Sequence, residues 1–160
     1  MEKELLRLLQ ARRTEIRARW NELLHTEAAS SPLAHPDTLV HLIDWSLAEI
    51  LDAVEGPASR RQSAARSFEA VRALCSCGRN PLLAMFQAGE QAVTEGLVLC
   101  QAASPVASPG DRTQALEDVQ AAVRTVAARE VESFCSVCQY RNTAVNGGCG
   151  ALTALTATAM

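Results

Sequence analysis

Residues 75–100 have the sequence CSCGRNPLLAMFQAGEQAVTEGLVLC, and this stretch decides the fold. It begins with two cysteines and then gives three helix-boundary signals within four residues. Gly78 is a common helix terminator, Asn80 is a favoured N-cap and Pro81 suits the first helical position. Apolar side chains then recur at helical spacing, so we predict a helix over residues 81–103, entered through a tight turn that carries the cysteine pair.

The same periodicity predicts further helices on both sides of this stretch. Only 4% of the residues are aromatic, whereas 48% are hydrophobic, and alanine and leucine are abundant. This balance favours packed helices over β-sheets. We therefore expect an all-α fold, an antiparallel bundle of about five helices. The other four predicted helices cover residues 2–26, 36–55, 59–74 and 111–140.

The chain has room for one folded domain, because 160 residues hardly suffice for two. We predict that residues 1–141 form this helical domain. Residues 142–160 carry no charge and are rich in alanine, threonine and glycine. We therefore expect them to form a flexible C-terminal tail.

Charge and hydropathy exclude several classes of function. A net charge of −3 gives no basic field for a nucleic-acid backbone or an anionic membrane surface. No apolar run approaches the length of about 18 residues that would cross a bilayer. The first residues, Met1 to Leu5, do not resemble a secretory signal, so we expect a cytoplasmic protein.

The last two predicted helices should bring two cysteine pairs together. The short loop between them implies an antiparallel hairpin with its midpoint near Ala107. Cys77 lies roughly 30 residues before that midpoint and Cys135 roughly 28 residues after it, so the two arms differ by only a few ångströms at about 1.5 Å per residue. Cys138 follows Cys135 at i+3, which on a helix places both thiols on one side. We expect Cys75, Cys77, Cys135 and Cys138 to meet at one end of the bundle.

Four cysteines in two close pairs match the tetrahedral coordination of zinc. An iron–sulfur cluster uses the same ligands and is an alternative, as is a reversible dithiol. A further alternative is that the cysteines merely fill a metal-free core. The same length comparison puts Cys100 at the opposite end of the hairpin, where we expect it in the core. Cys149 is either a loose thiol or a substitute ligand.

Other side chains carry weaker signals. A glycine inside a helix costs about 1 kcal/mol relative to alanine, so Gly89 indicates either a close approach of another helix or a contact with a ligand, with Glu90 as a candidate polar group inside the bundle. Of these, we expect close packing alone. His25, His35 and His41 are scattered and suit surface or capping positions. We expect a solvated basic face on the first helix, formed by Arg12, Arg13, Arg17 and Arg19.

The last predicted helix also has an apolar stripe in alternating steps of three and four, with one polar member, which is typical of bundle packing. Its members are Leu116, Val119, Val123, Val126, Glu130, Phe134 and Val137. No nucleotide-binding glycine loop, HExxH or GxSxG motif occurs, and we expect no enzymatic activity and no catalytic residues.

Part of the sequence resembles the N-terminal helical domain of RsbRD-type co-antagonists, which regulate stressosomes and sigma factors. The likeness extends over roughly residues 2–141. It is carried by CGRNPLL at residues 77–83, by Phe86, Gly89, Glu90 and Ala92, and by the first helix with Arg12, Arg13, Ile16, Trp20 and Leu23.

The resemblance implies a helical, somewhat globin-like domain that receives a signal for an attached output domain. It implies no metal ligands. No output domain follows Tyr140 in this sequence, so we expect the signal to pass to a separate protein partner or through self-association. The combined expectation is a cytoplasmic bacterial regulatory or sensory domain, with zinc joining two helix ends.

Overall fold

The computed structural model describes residues 3–26, 35–56, 67–75, 79–103 and 108–138, and within these ranges it contains helices and no strands. The predicted all-α class is confirmed. The helices of the described residues are α1 (Lys3–Ala11), α2 (Arg13–Thr26), α3 (Pro36–Glu55), α4 (Phe68–Ala73), α5 (Pro81–Ala103) and α6 (Pro109–Val137). The predicted tail and Cys149 lie outside these ranges, as does Cys77.

Four long helices form a bundle in which all neighbours are antiparallel. Around the bundle the order is α2, α3, α6 and α5, and α5 packs most extensively against α6 and α2. The α5–α6 pair runs antiparallel because Gln101 near its loop donates to the Arg112 carbonyl at 2.9 Å, while Asn80 at its far end donates to the Val131 carbonyl at 3.2 Å. The antiparallel hairpin expected from the short loop is therefore confirmed.

The chain crosses the bundle diagonally between α3 and α5. Both of these helices neighbour α2 and α6, and both run antiparallel to them, so the direction of the chain is up, down, down, up. The connection between α3 and α5 contains α4, which packs on α6 and α5. This crossover places the residues that follow α4 beside the start of α5 and the end of α6.

The helix ends follow from local capping. Ser108 forms a capping box with Asp111, so α6 begins at Pro109, two residues before the predicted start. Cys138 is the C-cap of α6 with φ −72° and ψ 119°, so the helix ends before the predicted residue 140. Ser67 has extended backbone and N-caps α4 at Phe68, and the predicted helix start at residue 59 lies outside the described residues.

Two glycines of α5 let α2 approach closely. A Cβ atom on Gly89 would lie 2.2 Å from the ring of Trp20, and one on Gly96 would lie 2.7 Å from Ile16. The Trp20 ring is fully buried and its Nε1–H donates to the Met85 carbonyl at 2.9 Å. The close approach expected at Gly89 is confirmed, and Gly96 repeats it two turns later.

The predicted apolar stripe of α6 is wrong in its last part. Val137 is 83% exposed, and Glu130 and Phe134 are only partly buried. The buried positions instead continue through Ala127, Val131 and Cys135. From Val119 to Cys135 the buried positions recur in steps of four residues. Each such step turns by about 40° on a helix with 3.6 residues per turn, so the buried side of α6 rotates along its length and Cys135 comes to face Asn80.

Gly89→Ala tests the contact between α2 and α5. We expect a loss of about 1–3 kcal/mol in the free energy of unfolding, because the new methyl group overlaps a fully buried indole and this overpacking outweighs the gain in helix propensity. Chemical denaturation followed by circular dichroism measures the change.

Gly110→Ala is the matched control, since a Cβ there would meet only the Ser108 hydroxyl at an ordinary 3.7 Å. This variant should be as stable as the unsubstituted protein or slightly more stable. Equal stability of the Gly89 and Gly110 variants would contradict the packing described.

Candidate functional site

Asn80 builds the corner at which α4, α5 and α6 meet. Its side chain is buried, and its Oδ1 accepts from the Leu82 N–H at 2.9 Å, which caps the start of α5. Its Nδ2 donates to the Val131 carbonyl at 3.2 Å and to the Cys135 Sγ at 3.5 Å. One amide therefore starts α5 and also attaches it to the last turns of α6.

Two thiols from distant parts of the sequence meet at this corner. Cys75 follows Leu74, the C-cap of α4, and its backbone N–H donates to the Arg72 carbonyl at 3.2 Å. Cys75 and Cys135 are 6% and 8% exposed and belong to the same buried core. Neither cysteine forms a disulfide in this structure.

The surroundings keep Cys135 in its thiol form. Burial raises the pKa of Cys135, the Asn80 amide acts in the opposite direction, and the neighbouring Cys75 and Cys138 raise it further. A thiol with a raised pKa is a weak nucleophile at neutral pH.

The structure places the four cysteines predicted as metal ligands in different surroundings. Cys135 lies beside Asn80 at the start of α5, and Cys75 is also buried, whereas Cys77 lies outside the described residues. Cys138 is half-buried and is the C-cap of α6, and its placement on the same side as Cys135 stays a prediction. Within the described ranges, no group of three His, Cys, Asp or Glu side chains is placed to hold a metal ion. The four-cysteine metal site stays a prediction.

Cys100 is separate from this corner. It is 1% exposed near the C-terminal end of α5, as expected for a core residue. Burial raises the pKa of its thiol, while Arg12 acts in the opposite direction through its charge and a hydrogen bond. Cys100 therefore serves as an internal control for any experiment on the Cys75–Cys135 corner.

A second polar contact joins α5 to α6 halfway along the hairpin. Glu90 accepts two hydrogen bonds from Arg124, at 2.6 and 3.4 Å. The side chains are 17% and 25% exposed, so the ion pair is shielded from most of the solvent. The sequence suggested an inward-facing Glu90 but not its partner, because the pairing depends on the register between the helices.

The remaining histidines and arginines have structural roles. His35 is the N-cap of α3, and His25 and His41 are exposed. Arg17 pairs with Asp44 at 2.9 Å and Arg19 with Glu95 at 2.7 Å. The basic face of the first helices thus forms ion pairs with α3 and α5.

No protein-family model, curated protein or solved structure matches the chain. None of the helices in the described ranges is long and apolar enough to cross a membrane.

Asn80→Ala tests how the corner is held. We expect a loss of about 1–3 kcal/mol in the free energy of unfolding, because the N-cap is lost and two buried acceptors lose their donor. Reaction of Cys135 with an aromatic disulfide reagent should also become faster. Urea denaturation and thiol titration measure the two effects.

Ser108→Ala is the comparison, because it removes an N-cap at an exposed helix start. It should lower stability by about 1 kcal/mol and leave the reactivity of Cys135 unchanged. Equal effects of the two variants on Cys135 reactivity would show that Asn80 does not hold the thiol.

A double-mutant cycle tests the Glu90–Arg124 pair. Replacing each residue by alanine, singly and together, should give a coupling energy of about 1 kcal/mol, because the pair is bidentate and mostly shielded from solvent. Denaturation curves of the four proteins supply the values. The exposed Glu4–Arg7 pair is the control, with coupling within error of zero. Equal coupling in both pairs would contradict the shielded geometry.

Proposed function

We propose that this chain is a bacterial helical regulatory domain of the cytoplasm, without enzymatic activity, that acts through a protein partner or by self-association. We further propose that Cys75, Cys77, Cys135 and Cys138 bind zinc and thereby join the crossover to the end of α6. The observation that carries the proposal is that the corner held by Asn80 has two buried thiols, Cys75 and Cys135. These residues are about sixty positions apart in the sequence.

The chemistry of the corner supports a metal. Cys77 and Cys138 follow Cys75 and Cys135 within three residues, so the chain can supply two thiolates from each side. The Asn80 amide donates to the Cys135 sulfur, which is the kind of hydrogen bond that stabilises a metal-bound thiolate. Zinc would lower the pKa of Cys135 and offset the effect of burial.

The surface supports a role in binding another protein. Leu42 and Trp45 lie one turn apart on α3 and are 40% and 46% exposed. The guanidinium of Arg129 lies 5.7 Å from the centre of the Trp45 ring. Partly exposed tryptophan and arginine side chains are the residue types that contribute most to binding energy at protein interfaces. This face is independent of the cysteine corner.

Metal analysis of protein purified without chelators tests the proposed zinc site. One equivalent of zinc is expected in the unsubstituted protein, because four thiolates complete a closed tetrahedral site. Zinc should be lost in each single serine variant of Cys75, Cys77, Cys135 and Cys138. Cys100→Ser should retain it. Absence of any metal from the unsubstituted protein would contradict the site, and visible absorption from iron and sulfide would favour a cluster instead.

A further inference from the structure

A groove runs between α3 and α6 on the outer side of the bundle. It has a volume of about 260 Å³, and the side chains of Ala53, Ala122 and Val126 supply the apolar part of its lining. A cavity of about 150 Å³ admits a benzene ring. The groove is therefore large enough to take an apolar side chain such as that of leucine.

Two exposed apolar side chains continue the groove along α3. Leu42 and Trp45 lie one turn apart and are 40% and 46% exposed. Gly56, which lines the far end of the groove, lies fourteen residues beyond Leu42, a distance of about 21 Å along a helix. A surface of this length between two helices suits about four turns of a third helix, which is a common way in which proteins recognise a partner segment.

Arg129 holds the exposed ring of Trp45 in place. Its guanidinium lies 5.7 Å from the centre of the ring, and it pairs with Glu49 at 2.8 Å and with Glu130 at 2.7 Å. A side chain that is already held loses little conformational freedom when a partner binds. Trp45 is therefore a preformed anchor for a binding partner.

The groove carries an excess of negative charge. Of the described residues that line it, Arg129 alone is a cation, and two carboxylates already pair with this cation. Asp52 also lines the groove, is exposed, and forms no ion pair within the described ranges. A second copy of the same face would bring the same excess of carboxylates to the contact, whereas a basic segment would neutralise it.

We propose that the groove between α3 and α6 binds a basic amphipathic helix of a partner protein. One apolar side chain of that helix enters the groove beside Ala53 and Val126, and another packs on Trp45. Its lysine or arginine side chains pair with Asp52 and with the carboxylates around Arg129. Apolar anchors supply most of the affinity of such a contact, and the opposite charges select the partner.

This proposal rests on one part of the proposed function, namely action through a protein partner, and not on the zinc site. The groove shares no residue with the four cysteines. Zinc content can therefore be measured on the same samples, and Trp45→Ala should leave it unchanged.

The test uses the full chain and a fluorescently labelled peptide of about 18 residues, with leucines at helical spacing on one side and lysines elsewhere. A second peptide has glutamate at every lysine position. Fluorescence anisotropy at low salt should give a dissociation constant below about 100 µM for the lysine peptide. The glutamate peptide should bind at least about tenfold more weakly, because its charges repel those of the groove.

Two variants locate the binding site. Trp45→Ala and Asp52→Lys should each weaken binding of the lysine peptide by at least about tenfold. Both positions are exposed, so circular dichroism should show an unchanged helix content. Leu99→Ala is the matched apolar control, since Leu99 is 53% exposed on α5. Glu117→Lys is the matched charge control, since Glu117 is an exposed carboxylate of α6 that does not line the groove. Both controls should bind the lysine peptide as the unsubstituted chain does.

Four results would overturn the proposal. One is that the lysine peptide does not bind. Another is equal weakening by Asp52→Lys and Glu117→Lys, because the peptide would then respond only to net charge. The third is loss of binding in Leu99→Ala but not in Trp45→Ala, which would move the partner to another surface and leave the proposed function standing. The fourth is a dimer of the unsubstituted chain in sedimentation that Trp45→Ala abolishes, because a second copy would then cover the groove.

Discussion

The arrangement of the cysteine corner depends on one buried amide. Asn80 is the point at which the crossover ends and α5 begins, and its side chain makes hydrogen bonds in both directions. A buried amide that lost these partners would cost about 1–3 kcal/mol in desolvation, so the contacts favour a single register between α5 and α6. That register decides which α6 side chains face the end of α4. Cys135 is one of them because it lies one turn beyond Val131 on the same face.

The diagonal crossover explains why two thiol side chains lie at this end of the bundle. An up-and-down bundle with short loops would connect neighbouring helices and need no extra element. Here the chain must pass between helices on opposite corners, and α4 occupies part of that path. Its last residue leads into Cys75, beside the start of α5 and the end of α6. A short, weakly packed element and a firmly packed one thus each supply a thiol.

The close packing of α2 on α5 provides the rigid background for this corner. Gly89 and Gly96 let aromatic and aliphatic side chains of α2 fill the space that a Cβ would occupy. The Trp20 indole also gives its only N–H to a backbone carbonyl of α5. These contacts hold α5 firmly against α2, so the helix that begins at Asn80 is fixed to the core along its length.

Much of the architecture could be predicted from local signals, because caps, prolines and apolar periodicity act over a few residues. Such signals predict the bounds of α5, the close approach at Gly89 and the antiparallel hairpin. The comparison of residue numbers along the two arms of the hairpin also correctly placed Cys135 next to the segment before α5. The burial of Cys135 instead of Val137 could not be predicted from the apolar pattern of α6, since it depends on which side of the helix faces Asn80. The pairing of Glu90 with Arg124 depends on the register between α5 and α6, and so do the hydrogen bonds that the Asn80 amide donates to α6. No short stretch of sequence determines that register.

The central claim is that Asn80 joins the start of α5 to the end of α6 beside the two thiols. Nuclear magnetic resonance of the side-chain amide of Asn80 tests it most directly. The account predicts slowed exchange of the Nδ2 protons, together with nuclear Overhauser contacts to the protons of Val131 and Cys135. Exchange as fast as that of a solvent-exposed asparagine, with contacts only to residues adjacent in sequence, would contradict it.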